Sequence, residues 1–402
     1  MATFAFFPSP ITGAINPFLG LGHDLTALGH RVVFYLPEGY RDTVGAVGAE
    51  LRTYRLERAR PHRPGDDAVT RFAHTPMWLT AECRQVLPQI EPDVRALAPD
   101  VIVYHMLCVW GRLLARLMPA AAAMVVGSYV GNEHFSPVRT AHYQAMAGKL
   151  ADAFGDYSAD VAALGRRYGL RLQPRELFAR EERLVLVQMP REFHPAGDTF
   201  GDRYHFMGAS LRPPGCDPTD GLPALEPGHP VVYVSFGTLV SFRTDLMSAC
   251  VEAFADGDWQ VVLSVDDQSA PATVPANVHV MRRVPQLKLL PRVSAFVTHG
   301  GTNSVVEALA FGVPMVVVPE APEHAITADR VAELELGVRL RTDEVTAGEL
   351  RAAVERVARS VGMRDALAKM RGAVHAAGGS AAAAAALARL ADADRAVRSG
   401  VG

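Results

Sequence analysis

Ala295-Phe296-Val297-Thr298-His299-Gly300-Gly301-Thr302-Asn303-Ser304 takes an apolar run into a double-glycine turn and out again into a helix. Ala295–Thr298 has the length and composition of a buried strand. Thr302, Asn303 and Ser304 open a helix that the apolar spacing carries to Phe311. A strand passing through glycines into a helix is half of a βαβ unit, so this stretch predicts a parallel sheet. It also predicts a site. The free N–H groups and positive end of such a helix suit a phosphate or another anion. Glycines let the backbone approach a ligand closely, and His299 can donate one more hydrogen bond.

The alternation extends in both directions. Downstream, Met315–Val318 reads as a strand, followed by helices at Ile326–Leu334, Ala347–Arg359 and the alanine-rich Ser380–Arg398. Upstream, Val231–Ser235, Gln260–Ser264 and Val278–Met281 are strands, with helices near Asp245–Ala255 and Pro285–Leu290. The first half repeats the pattern with strands at Thr3–Pro8, Arg31–Leu36, Leu51–Tyr54, Val101–Tyr104 and Ala122–Gly127. Its helices are Pro17–Leu28, Tyr40–Val47, about Val69 to Leu97, and Val109–Leu117; Asn16 is the expected N-cap of the first and Pro17 its first residue. Gly208–Pro230 is rich in Pro, Gly and Asp and poor in periodicity, as a linker should be. The expected fold is α/β, with two Rossmann-like doubly wound parallel-sheet domains facing across a cleft. Their expected limits are 1–208 and 231–378, with a linker over 209–230 and a C-terminal helix over 379–402 that packs back on the first domain. Open sheets of this kind bind ligands outside the carboxyl ends of their strands.

Composition narrows the function. Among 402 residues, 40 Lys plus Arg against 43 Asp plus Glu give a net charge of −3, without the basic footprint that nucleic acid requires. Hydrophobic residues make up 49%, enough for large cores. No apolar run reaches the roughly 18 residues of a membrane span. The first basic residue is Arg31 and Thr3–Pro8 already reads as a strand, so no signal peptide is expected. Cys83, Cys108, Cys216 and Cys250 are scattered without metal-ligand spacing. A cytoplasmic protein is the expectation. Gly20-Leu21-Gly22 lies inside the first helix without the rest of a dinucleotide fingerprint, which argues against NAD. Asp66-Asp67 and Asp266-Asp267 read as polar turns, and no metal is implied.

Further residues fall at fixed intervals between Arg283 and His324. They are Val284-Pro285-Gln286-Leu287, the turn at His299, then Glu307, Gly312-Val313-Pro314, Pro319 and Glu323-His324. In order and spacing this stretch resembles the nucleotide-sugar signature of the UDP-dependent glycosyltransferases of GT-B fold. Asn16-Pro17, Gly29-His30-Arg31-Val32, the segment Pro99–Tyr104 and Val234-Ser235-Phe236-Gly237-Thr238 extend the likeness over nearly the whole chain. Its look is that of the actinobacterial macrolide glycosyltransferases, the oleandomycin type included. The resemblance implies an inverting transferase that moves a hexose from a UDP-sugar, UDP-glucose first, to a hydroxyl of a bulky apolar natural product such as a macrolide or polyketide. It implies no cofactor and no metal. Val284 would contact the pyrimidine through its backbone, Gln286 would lie near the ribose, and Glu307 would hold the 2′ and 3′ hydroxyls. His299, Gly301, Asn303, Ser304 and the Gly237-Thr238 turn would surround the diphosphate. Glu323 and His324 would touch the sugar hydroxyls. The acceptor pocket would draw on Phe72, Met77, Trp78, Met106, Trp110, Tyr129, Phe135, Tyr143 and Met146. Each of these is singly as good a core residue, but as a set they favour a large apolar acceptor.

Three departures stand out. Arg283 takes the place of a tryptophan that stacks on the base in many relatives, though a guanidinium plane can stack as well. Glu323-His324 replaces the usual Asp-Gln and changes which hydroxyl pattern fits; a histidine there hints at galactose. Relatives also carry a base histidine in a Gly-His-x-x-Pro pattern, whereas this chain reads Gly13-Ala14-Ile15-Asn16-Pro17. Ala14 accepts no proton, and the aspartate that steadies the missing histidine is here His105. Loss of a general base typically costs about 10²–10⁴ in rate. An inactivating substitution at Ala14, a base relocated to His105, and an acceptor acidic enough to need little help all remain open. So do a catalytically silent natural-product binding protein on the same fold and, less favoured by the apolar set, a nucleotide-sugar epimerase.

Overall fold

The computed structural model describes residues 1–57, 68–138, 140–178, 182–213, 215–216, 221–237, 244–265, 273–342 and 345–400. Side chains at 68, 69, 71, 72, 140–153, 175, 178 and 244 lie outside that description. The chain divides into two compact units. One comprises Met1–Gln188, Thr199–Cys216 and Gly378–Gly402, and the other Met189–Asp198 and Asp217–Ala377.

The first unit is built on β1 (Thr3–Phe7), β2 (Arg31–Leu36), β3 (Glu50–Thr53), β4 (Val101–His105), β5 (Ala121–Val126), β6 (Leu184–Val187) and β7 (Tyr204–Phe206). Their order is β3-β2-β1-β4-β5-β6-β7, with every neighbouring pair parallel. Most of these strands are continuous apolar runs, because helices cover both faces of such a sheet. The helices are α1 (Thr12–Ala27), α2 (Arg41–Gly45), α3 (Ala68–Leu97), α4 (Val109–Leu117) and α5 (Thr140–Tyr168). Phe18 from α1 and Phe34 from β2 meet Phe6 edge to face in the core.

The second unit carries β8 (Val231–Ser235), β9 (Gln260–Ser264), β10 (Val278–Met281), β11 (Ala295–Thr298), β12 (Met315–Val317) and β13 (Gly337–Arg339). Their order is β10-β9-β8-β11-β12-β13, again all parallel. Helices α6 (Thr244–Glu252), α7 (Gln286–Leu289), α8 (Thr302–Phe311), α9 (Pro322–Glu333), α10 (Ala347–Arg359) and α11 (Val361–Ala376) surround it. In each sheet the strand order reverses beside the first strand, between β1 and β4 and between β8 and β11. These are the switch points where open α/β sheets take ligands. The last helix, α12 (Gly379–Arg398), belongs to the first unit, where Ala383, Ala384 and Leu387 join the core around Phe18. A Cβ on Gly20 of α1 would lie 2.6 Å from Ser210 Oγ and 3.0 Å from Ser380 Cβ. Close packing against α12 and the Ser210-Leu211 segment after β7 therefore explains that glycine.

Several sequence expectations are corrected here. Helix α1 begins at Thr12, so Pro17 is internal and Asn16 is not the N-cap. The turn closes earlier because the Ala14 and Ile15 amides both reach the Ile11 carbonyl, at 3.0 and 3.1 Å, upstream of the proline. Helix α9 starts at Pro322 rather than Ile326, with the proline in the first turn where its missing N–H costs no helical bond. Glu323 and His324 thereby enter a helix start. The segment Met189–Asp198 belongs to the second unit, not the first. Arg330 of α9 fastens it, donating to the Phe193 carbonyl at 2.9 Å and to the Glu192 carbonyl at 2.8 Å. Helices α5 and α11 and strands β6, β7 and β13 were not expected. No described helix is long and apolar enough to cross a membrane.

Candidate functional site

At the switch point of the second unit, β8 runs through Phe236 into Gly237, and β11 runs through His299 into Gly301. Gly237 has φ of +76°, where a side chain would be strained. A Cβ on Gly237 would come within 3.0 Å of His299 Nε2, and one on Gly301 within 2.6 Å of the same atom. The His299 ring is thus clamped between two glycine backbones and is only 9% exposed. Its Nε2 lies beside Gly301, the N-cap of α8, a helix that no side chain caps. The first-turn N–H groups of α8 are therefore not taken up by their own N-cap, as an anion site requires.

His324, in the first turn of α9, sets its ring edge-on to His299, with centroids 4.5 Å apart and planes at 86°. Burial pushes His299 down to about 4, against a smaller opposite pull from the Ser235 carbonyl. Burial, helped by the neighbouring His299, pushes His324 down to about 3. Both rings are neutral near pH 7. Thr302 Oγ1 donates to Glu323 Oε1 at 3.4 Å and so links the starts of α8 and α9. Asn303 and Ser304 are half-buried in the first turn of α8. Beyond β10, Val284 is half-buried and Arg283 exposed.

Glu307 is buried one turn further along α8. Gln286 Nε2 donates to its Oε2 at 2.6 Å, and the Tyr233 hydroxyl donates to Gln286 Oε1 at 3.0 Å. Tyr233 itself stacks on Phe296, with centroids 4.7 Å apart and planes at 7°. A carboxylate oriented in this way, one turn past an anion-binding helix start, can accept two sugar hydroxyls. Sequence reasoning had missed Tyr233 and Thr302. A signal existed for Tyr233, since a phenol in an otherwise apolar strand must find a partner for its hydroxyl.

The first unit holds the other candidates. Ala14 is buried in α1. His105 ends β4, where its Nδ1 lies 3.3 Å from Ser9 Oγ and accepts from the Leu107 amide at 3.3 Å. With Nδ1 accepting, the neutral ring carries its proton on Nε2, the atom nearest to where a Cβ on Gly127 would sit, 3.4 Å away. Burial pushes His105 down to about 3. With Nδ1 taken up by the Leu107 amide and the ring buried, this geometry gives no support to His105 as a relocated base.

Of the proposed acceptor residues, Met77, Trp78, Met106 and Phe135 are half-buried. Trp110 is fully buried edge-on to Tyr54, and Tyr129 is fully buried against Phe135. The side chains of Phe72, Tyr143 and Met146 lie outside the described residues, as do Thr238 and the pairs Asp66-Asp67 and Asp266-Asp267.

Comparison with known proteins agrees with this architecture. Residues 248–390 match the family described as erythromycin biosynthesis protein CIII-like, C-terminal domain. The chain is 36% identical over 397 residues to demethyllactenocin mycarosyltransferase of Streptomyces fradiae, covering 96% of this chain and 85% of that one. It is 32% identical over 356 residues to the NDP-glycosyltransferase YjiC of Bacillus licheniformis, covering 87% and 88%. Among solved structures it is similar to CalG4, the calicheamicin glycosyltransferase, with a TM-score of 0.79, 29% identity and 97% and 98% of the two chains covered.

Proposed function

The chain belongs to the UDP-glycosyltransferase superfamily of GT-B fold, in its actinobacterial macrolide type, and from that premise we propose that it moves a hexose from a UDP-sugar, UDP-glucose first, to a hydroxyl of a bulky apolar natural product. The observation that carries the donor is Glu307, a buried carboxylate braced by Gln286 and Tyr233 one turn beyond an uncapped helix start. The diphosphate then lies at the first turn of α8, among Gly237, His299, Gly301, Asn303 and Ser304. Glu307 takes the ribose 2′ and 3′ hydroxyls, Val284 faces the uracil with Arg283 beside it, and Glu323 and His324 take hydroxyls of the sugar. The reading requires neither cofactor nor metal.

Transfer is a single displacement. A lone pair of the acceptor oxygen forms the new bond to the anomeric carbon while the bond to the phosphate oxygen breaks. That electron pair leaves with UDP, and the configuration inverts. The helix start and His299 stabilise charge that builds on the leaving phosphate. The acceptor class is supported by the relatives, one named for demethyllactenocin and another for calicheamicin, and by half-buried Met77, Trp78, Met106 and Phe135.

Ala14 favours a second reading. With no base at that position and His105 held as a donor, transfer to an aliphatic alcohol is slow in this chain, and a binding role without turnover becomes the alternative. Calorimetric titration with UDP, dTDP, UDP-glucose and UDP-galactose tests the donor. UDP is expected to bind, and dTDP, which lacks the ribose 2′ hydroxyl, to bind more weakly. No detectable UDP binding overturns the reading, and a preference for dTDP moves it to another donor. The sugar is the part most exposed to this test, because the 36%-identical relative is named for a mycarosyl group.

A further inference from the structure

We propose that the acceptor of this transferase is a phenol, and that its oxygen attacks the anomeric carbon already ionised. The inference rests on the transfer reaction proposed above and names the acceptor within it.

The usual base position is Ala14, in the first turn of α1, and the reacting oxygen is delivered there. This chain offers hydrogens at that place and takes none. The Ala14 and Ile15 amides are occupied by the Ile11 carbonyl, which leaves those of Thr12 and Gly13 at the helix start. Neither a side-chain cap nor an acidic residue stands in that turn. A Cβ on Gly13 would meet nothing within 4 Å, so the approach is open. With its amide turned to suit its neighbours, Asn16 accepts from Arg212 Nη1 at 2.5 Å, which brings a guanidinium to the same end of α1.

His105, only 5% exposed, has its Nδ1 shared by the Leu107 amide and the Ser9 hydroxyl, both at 3.3 Å. Its Nε2–H lies beside Gly127 at the end of β5, with no partner among the described residues. Burial alone keeps the ring neutral. On α3, Glu82 is buried and His74 lies against Trp78, with ring centroids 6.1 Å apart. Donors and positive charge favour an oxygen that has lost its proton over one that has still to lose it.

Magnitudes decide between hydroxyls. A phenol ionises with a pKa of about 10, as tyrosine does, and an aliphatic hydroxyl about as reluctantly as water, at about 15.7. The ionised fractions at one pH therefore differ by about 10⁵–10⁶. A general base contributes about 10²–10⁴. Ionisation thus outweighs the missing base for a phenol, even though a weaker base is a weaker nucleophile, and fails to do so for an alcohol. Half-buried Met77, Trp78, Met106 and Phe135 also suit an aromatic ring, against which sulfur and aromatic side chains pack well. The step balances without a base. The phenol gives its proton to solvent, a lone pair of the phenolate forms the bond to the anomeric carbon, and the electron pair of the broken bond leaves with UDP.

Transfer from UDP-glucose, its binding checked by calorimetry, is compared for 7-hydroxycoumarin, 7-(hydroxymethyl)coumarin and 7-aminocoumarin from pH 6 to 9. The phenol is expected to lead the alcohol at least about a hundredfold in kcat/KM. Its rate should rise about tenfold per pH unit and level off at the phenol's own pKa. The more acidic 6,8-difluoro-7-hydroxycoumarin should show no rise over that range. Ala14→His should raise the alcohol and leave the phenol nearly unchanged. A bend at one pH for both phenols reports a base on the chain, at His74 or at His62, which lies outside the described residues, and overturns the inference. So does an alcohol or amine transferred as fast as the phenol, and so does silence toward all four compounds with UDP-glucose bound. In each of these cases the donor reading stands. Failure of UDP-glucose to bind overturns the donor reading and the inference together.

Discussion

Gln286 Nε2 lies 2.6 Å from Glu307 Oε2, a bond that joins the start of α7 to the second turn of α8. Behind it, the Tyr233 hydroxyl holds Gln286 Oε1 from the middle of β8, so three elements fix one carboxylate. A buried carboxylate is costly unless its oxygens are paired, and here the pairing also sets its direction. The ribose contact proposed for Glu307 is in that sense built before any ligand arrives.

Tyr233→Phe isolates the support from the contact. It deletes one hydroxyl and keeps the ring on Phe296. A hydrogen bond of this kind is worth about 0.5–1.5 kcal/mol, so UDP should bind about two- to tenfold more weakly. Glu307→Ala should weaken UDP by about ten- to a hundredfold and erase the preference over dTDP. A lower melting temperature for Tyr233→Phe with unchanged UDP affinity would make the network purely structural.

The comparison with the sequence is uneven for physical reasons. Strands β8 to β11 were legible to the residue because buried parallel strands are apolar runs bounded by turns, and the site's histidine, glycines and Glu307 sit within one such unit. The Tyr233–Gln286 bond and the His299–His324 contact were not, since they join segments that only the sheet brings together. Strands β7 and β13 are three residues each, too short for periodicity to register. Helix α5 carries Gly148, Gly155 and Gly165, which weaken a helical pattern that tertiary packing nonetheless sustains. Helix α1 misled because a proline that suits a first turn also survives further inside.

Gly301→Ala tests the clamp on His299. The new Cβ would stand 2.6 Å from Nε2, and the ring has Gly237 on one side and His324 on another. The imidazole must leave its position. UDP affinity should fall at least tenfold, with little change in the far-ultraviolet circular dichroism. Unchanged affinity would show that the diphosphate does not depend on this ring.

Acid stability follows from His105. The folded ring is neutral and titrates at about 3, whereas an unfolded histidine titrates near 6.5. As pH falls below about 6.5 only the unfolded chain takes up the proton, so stability is lost progressively until about pH 3 and no further below it. The contribution is at most about 4–5 kcal/mol at about 1.36 kcal/mol per unit. His299 and His324 act in the same direction. His105→Gln should melt lower than the unaltered chain at pH 7.5, yet show a smaller drop between pH 7.5 and 4.5. An equal drop in both proteins would remove His105 from the account.

Ala14→His asks whether the chain is a transferase short of its base. The position is buried in α1, so an imidazole there should cost about 1–3 kcal/mol of stability through overpacking. In return it supplies a proton acceptor, and general bases typically contribute about 10²–10⁴ in rate. Transfer from UDP-glucose to an alcohol acceptor should rise within that range, while UDP affinity stays unchanged because its residues lie in the other unit. The gain should sit near the lower end, since His105 gives an imidazolium less support than a carboxylate would. Ala14→His combined with His105→Asp should therefore exceed Ala14→His alone. Ala14→Gln, similar in bulk but not basic, should gain nothing. Product formation followed by mass spectrometry over a panel of hydroxylated polyketides separates the cases. Silence of the single and double variants, with UDP-glucose bound, would identify the chain as a binding protein on a transferase fold.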